Sequence, residues 1–126
     1  CETPSNPTLK LLDIAALAAV AKAKGLLVVV DNTFMTPFFQ RPLDLGADVS
    51  LSSISKYING HSDVIGGIVA TSRDDLHDRL RHTQNAVGGI LSPFDSYLAN
   101  RGLKTLHLRM AQHALNAMAV AKVLEA

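Results

Sequence analysis

The chain has 126 residues, 48% of them hydrophobic and 18% charged, with 12 basic against 11 acidic residues for a net charge of +1. So apolar a composition excludes an intrinsically disordered chain, and the charge balance gives no electrostatic reason to bind nucleic acid or an anionic membrane. A single cysteine cannot close an internal disulfide, which fits an intracellular, cytoplasmic chain, and the longest apolar run, Leu26 to Val30, is far too short to span a bilayer.

In chain order, Thr3-Pro4-Ser5-Asn6-Pro7 is a turn, because two prolines bias the residues before them away from helix. Asp13 is then an N-cap for a helix with Ile14, Leu17, Ala18 and Ala21 at helical spacing. Gly25 stops it, after Lys22 and Lys24 in the last turn. The run Leu26 to Val30, ending in Asp31-Asn32, predicts a strand buried on both faces, as in a parallel sheet. Asn32 to Leu45 is a connection containing Pro37 and Pro42. A second strand is expected near Val49 to Ser53, and a third over Ile65 to Thr71 around the glycine pair Gly66-Gly67. Arg73 to Ala86 is helical, with Leu76 and Leu80 on one face. Ser92 caps a helix with Pro93 at its first position that runs to about Asn100. From Leu103 a long helix places Leu106, Met110, Leu115, Met118 and Val123 at apolar positions, with Met110 and Met118 expected in the core. Strands alternating with helices argue for an α/β fold with a mostly parallel sheet flanked by helices. The chain starts at Cys1 inside a loop and ends at Glu125-Ala126 with a helix still running, so the expectation is a piece of a longer subunit.

Open α/β sheets bind ligands beyond the carboxyl ends of their strands. Asp31 follows the first strand here, and Ser53-Ile54-Ser55-Lys56 follows the second. A carboxylate, two hydroxyls and a lysine on one edge suit an anionic aromatic cofactor held by its ring nitrogen, phosphate and aldehyde. Pyridoxal phosphate bound as a Schiff base is such a group. Taken singly, each residue has a plainer reading: an aspartate at a strand end caps or turns, and a lysine is a solvated surface charge. The histidines offer no metal site, since neither His77 and His82 nor His107 and His113 have the i, i+4 spacing of a helical zinc site. His61 is expected to shape its turn.

The segment Asp48 to Ser62, with Ser53-Ile54-Ser55-Lys56-Tyr57 and Gly60-His61-Ser62, resembles the lysine signature of the Cys/Met-metabolism family of pyridoxal-phosphate enzymes. Glu2-Thr3-Pro4-Ser5-Asn6-Pro7 and Val29-Val30-Asp31-Asn32-Thr33-Phe34 resemble two further motifs of that family. Ser92-Pro93-Phe94-Asp95 and Arg101-Gly102-Leu103-Lys104-Thr105-Leu106 continue in the family's order. The stretches around Phe39-Gln40-Arg41-Pro42-Leu43, Gln84-Asn85 and Asn100 to His107 are most similar to the branch that cleaves cystathionine by γ-elimination. The γ-synthase and methionine γ-lyase branches share the core motifs.

The resemblance implies that residues 1–126 are a fragment of the large, cofactor-binding domain of an aspartate-aminotransferase-like, fold type I enzyme, with no complete small domain. It implies pyridoxal 5'-phosphate as cofactor, a sulfur-containing amino acid as substrate and a homotetramer in the full-length protein. Lys56 is then the Schiff-base and catalytic lysine, and Asp31 the partner of the pyridine nitrogen. Ser53 and Ser55 become phosphate ligands, and Asn6 lies near the phenolic oxygen and substrate carboxylate. The competing readings are a γ-synthase or methionine γ-lyase, and a scaffold segment without catalysis.

Overall fold

Helix α1 spans Ile14–Ala23 and starts at its expected cap, where the Asp13 carboxylate accepts the Ala16 amide at 2.9 Å. That satisfies one of the amides every helix start leaves unpaired. Ile14, Ala18 and Ala21 are buried and pack with Val28, Val30 and Ala47, so one apolar stripe of the helix covers one face of the sheet. Gly25, in the left-handed region at φ +66°, turns the chain out of the helix as a residue without Cβ does most readily. The computed structural model describes residues 1–125; the expectation made for Ala126 lies outside them.

The sheet has three strands, β1 (Val29–Asp31), β2 (Val49–Ser53) and β3 (Gly67–Ala70), in the order β1-β2-β3. β1 and β2 are parallel, with Val29 opposite Val49, and β2 and β3 are antiparallel, with Ser53 opposite Gly67. The architecture is α/β as expected, but this sheet is mixed rather than mostly parallel. The cause lies in the connection from β2 to β3. It returns to the edge it left, the Ile54 amide donating to the Gly66 carbonyl at 2.9 Å, so β3 must run back along β2.

The expectation of a first strand buried on both faces is also corrected. Val30 is 0% exposed and Val28 is buried, whereas Leu27 and Val29 are exposed. Among the described residues α1 covers one face only, so burial alternates along the strand. The connection after β1 is more ordered than its prolines suggested. It holds the short helix α2 (Thr36–Phe39) and a single 3-10 turn, Pro42–Leu45.

Helix α3 (Asp74–Val87) buries Leu76 and leaves Leu80 at its rim. Helix α4 (Pro93–Leu103) is capped by Ser92, whose hydroxyl accepts the Asp95 amide at 3.0 Å. Helix α5 (Leu106–Glu125) buries Leu106 and Met110. From Ala111 to Glu125 it is exposed throughout, and Met118, expected in the core, is 59% exposed. Only the first turns of α5 lie against other described residues, so helical spacing of apolar residues did not mean burial beyond Met110. No helix among the described residues is long and apolar enough to cross a membrane.

Candidate functional site

Three chain segments run parallel at one side of the sheet. Cys1–Glu2 lies along the outer edge of β1, with Glu2 bridged in parallel to Asp31; the Cys1 nitrogen donates to the Val29 carbonyl and the Asp31 amide donates to the Cys1 carbonyl, both at 2.8 Å. β1 and β2 follow in the same direction. The loops that leave these segments therefore emerge together at the carboxyl edge, where α/β sheets place ligands. They carry Asn6, then Asp31 with Thr33, then Ser53, Ser55 and Lys56. β3 begins at this same edge with Gly67 opposite Ser53.

Hydrogen bonds tie the three loops to one another. The half-buried Asp31 accepts the Thr33 amide on Oδ1 at 2.9 Å. The Thr33 hydroxyl accepts the Ser53 amide at 2.8 Å, which joins the end of β1 to the end of β2 three residues before the lysine. Ile54–Ile58 then form a wide helical turn, interrupted at Lys56 with φ −100° and ψ −125°. The Lys56 side chain is exposed, and among the described residues it makes no ion pair. The Ser55 hydroxyl accepts the Gly66 amide at 3.0 Å and donates only loosely, at 3.4 Å, to the Gly66 carbonyl.

Asn6 is exposed in the first loop, its amide donating to the Glu2 carboxylate at 3.0 Å. That loop is anchored by a half-buried network that the sequence motifs do not reveal. Gln40 Nε2 donates to the Thr3 carbonyl at 3.1 Å and to Asn32 Oδ1 at 2.9 Å, while Asn32 Nδ2 donates to the Gln40 carbonyl at 2.8 Å. The signal available in the sequence is that Asn32 lies in Val29 to Phe34 and Gln40 in Phe39 to Leu43; their pairing needs the α2 turn to bring them together. His61 Nδ1 donates to the Asn59 carbonyl at 2.7 Å, the turn-shaping place expected for it. Among the described residues no group of three His, Cys, Asp or Glu side chains is placed to hold a metal ion.

The donor set fits pyridoxal phosphate. Asp31 spends one oxygen on a backbone amide, and its other oxygen is an acceptor of the kind a protonated ring nitrogen requires. The amine of Lys56 shares its edge yet forms no ion pair with that carboxylate among the described residues, so it is available to an aldehyde. Ser53 and Ser55 bring hydroxyl donors suited to a phosphate.

Comparison with known proteins agrees with this chemistry. A family model described as Cys/Met metabolism PLP-dependent enzyme matches residues 1–126. Cystathionine gamma-lyase of Rattus norvegicus is 58% identical over 98% of this chain and 31% of its own length, and that of Dictyostelium discoideum is 55% identical over 98% and 32%. The crystal structure of cystathionine gamma-lyase from Lactobacillus plantarum complexed with L-serine superposes with a TM-score of 0.98 at 50% identity, covering 99% of this chain and 33% of that one. An apo enzyme of Micromonospora echinospora described as a methionine gamma lyase has a TM-score of 0.84 at 47% identity, over 85% of this chain and 29% of its own. The same enzyme is described elsewhere as a cystathione gamma lyase. The chain thus spans about a third of the length of the relatives it matches. It belongs to the Cys/Met-metabolism family of pyridoxal-phosphate-dependent enzymes.

Proposed function

We propose that these residues form part of the cofactor-binding large domain of a pyridoxal-phosphate-dependent carbon–sulfur lyase that cleaves cystathionine. The products are cysteine, 2-oxobutyrate and ammonia, with one water consumed. The observation that carries the reading is the convergence at one sheet edge of Asp31, Ser53, Ser55 and a Lys56 without an ion pair among the described residues, in a chain this similar to cystathionine gamma-lyases. When bound, pyridoxal phosphate supplies a ring that accepts the electron pair left as a carbon–hydrogen bond beside the substrate amine ionises.

The chain's own residues then have separate tasks. Lys56 Nζ is the point of covalent attachment and, once released, a base that takes and returns protons, a role suited to an amine of tunable pKa. Asp31 Oδ2 holds the proton on the ring nitrogen. Ser53 and Ser55 donate hydroxyl protons to the phosphate, Ser55 by giving up its long bond to Gly66. Asn6 orients the substrate carboxylate from the first loop. Homotetramer assembly and a cytoplasmic location complete the reading, supported by the exposed apolar residues of α5 and by the single cysteine; light scattering and cell fractionation of the full-length protein test them.

Borohydride reduction of the full-length holoenzyme, followed by peptide mapping, is expected to place the pyridoxyl label on Lys56. A label on another lysine overturns the site. Lys56→Ala is expected to abolish product formation and the label together. One second reading has a specific observation behind it, since the Micromonospora echinospora neighbour is described both as a methionine gamma lyase and as a cystathione gamma lyase. Assaying cystathionine, methionine and an activated homoserine ester side by side separates the γ-elimination reading from methionine γ-lyase and γ-synthase. Turnover of methionine alone would favour the second reading.

A further inference from the structure

Four carbonyls of the turn that carries Lys56 are shared among three partner residues. The Ile54 carbonyl accepts the Asn59 amide at 3.1 Å and the Lys56 carbonyl accepts the Gly60 amide at 2.8 Å. The two that follow the lysine have no backbone donor of this kind. Instead Arg109, from the second turn of α5, donates through Nη1 to the Tyr57 carbonyl at 2.6 Å and through Nη2 to the Ile58 carbonyl at 3.2 Å. The same guanidinium reaches the Gly102 carbonyl at the end of α4 at 2.9 Å, and its Nε donates to the Thr105 hydroxyl at 3.0 Å. Among the described residues it has no carboxylate partner. Burial draws it down from the ordinary arginine range, yet a guanidinium stays charged in proteins. A half-buried cation without an anion costs desolvation. Here the planar fork spends that cost on three backbone dipoles held in one arrangement.

The surroundings are cut to admit it. Gly60, at φ +78°, leaves open the space the guanidinium fills, and a Cβ there would run into Arg109. On the other side a Cβ on Gly102 would run into the Asn59 backbone, so α4 and the lysine turn meet backbone to backbone beside the clamp. Side chains that hold reacting groups need such locked supports, because small displacements of a reacting atom are costly.

We propose that Arg109 is a positioning residue for Lys56, fixing the exit of its turn by clamping the carbonyls of Tyr57, Ile58 and Gly102. The inference rests on the reading of Lys56 as the cofactor lysine. Its test uses the full-length enzyme with Arg109→Gln and Arg109→Lys. The lysine variant keeps the charge and most of the packing but cannot span three carbonyls. Pyridoxal phosphate is titrated into the apo forms, and the absorbance of the bound cofactor is followed against pH. Both variants are expected to bind the cofactor about tenfold more weakly or worse and to move the absorbance midpoint by about half a pH unit or more. Arg109→Lys should recover the parent's melting temperature without recovering that midpoint. Parent-like affinity and midpoint in Arg109→Lys, whatever its melting temperature, would overturn the proposal and leave Arg109 a purely structural residue. Borohydride labelling of the parent is the separate control: a label away from Lys56 sinks the underlying reading, whereas a label on Lys56 with unmoved variants sinks this proposal alone.

Discussion

Asp48 joins three parts of the fold through one residue. Its Oδ2 accepts the Val28 amide at 2.8 Å, its Oδ1 pairs with Arg73 at 2.8 Å, and its carbonyl accepts the Thr71 hydroxyl at 2.7 Å. The Val28 amide, followed by Arg73, holds the carboxyl below its ordinary value; Arg73 in turn is raised by Asp75 first and Asp48 second. A carboxyl whose folded value lies below its unfolded one contributes stability above the unfolded value, near pH 4, and loses it as pH falls through the folded value. Asp48→Asn is therefore expected to flatten the fall in stability below about pH 4, read as the urea midpoint against pH. An unchanged acid slope would show that Asp48 does not titrate differently in the folded chain. At this scale the sequence was informative where chemistry is local. Asp31 could be placed at a strand end because it follows an apolar run, and Ser53, Ser55 and Lys56 because they follow the alternating Val49-Ser50-Leu51-Ser52. Arg109 could not, because its partners Tyr57 and Ile58 stand 52 and 51 residues away and a backbone carbonyl leaves no mark on the residue type.

The helices show the same division between local and distant causes. Caps were legible: Asp13 and the Ser92-Pro93 pair stand where the structure starts α1 and α4. In α4 the cap is reciprocal, since the Ser92 hydroxyl both accepts the Asp95 amide at 3.0 Å and donates to its carboxylate at 2.9 Å. Ser92→Ala is expected to cost about 1 kcal/mol and to speed hydrogen exchange in the first turn of α4; an unaltered exchange pattern would contradict the cap. Gly102 lies inside the same helix for a reason the sequence does not carry, the backbone of Asn59 pressed against it. Since the obstacle is backbone, Gly102→Ala is expected to cost about 3 kcal/mol, seen as a lower chemical-denaturation midpoint. A loss no greater than that of an exposed helical substitution would place Asn59 farther away. Strand β1 differs from expectation in extent and burial because Leu26 to Val30 is uniformly apolar, and only the position of α1 decides which face is covered. The antiparallel β3 was hidden too, because its direction is set by the Ile54–Gly66 closure.

Across the whole molecule, one sheet edge gathers Asp31, Ser53, Ser55 and Lys56 while apolar side chains face outward elsewhere. Leu115, Met118, Val123 and Leu124 on α5 are all more than half exposed. With the chain spanning only about a third of its relatives, the 126 residues alone are expected to bind pyridoxal phosphate at least about 100-fold more weakly than the full-length protein. Absorbance titration of both checks this, and equal affinity would mean the edge is self-sufficient. The clamp also has a temporal side. Synthesis runs from the amino end, so the loops of Asn6, Asp31 and Lys56 are made well before Arg109, which follows Tyr57 by 52 residues. At about 5–20 residues per second, the nascent lysine turn waits roughly 3–10 s for its guanidinium. During elongation the turn is thus the last part of this edge to find its partners, and a cofactor arriving before α5 would meet a lysine whose exit is not yet held.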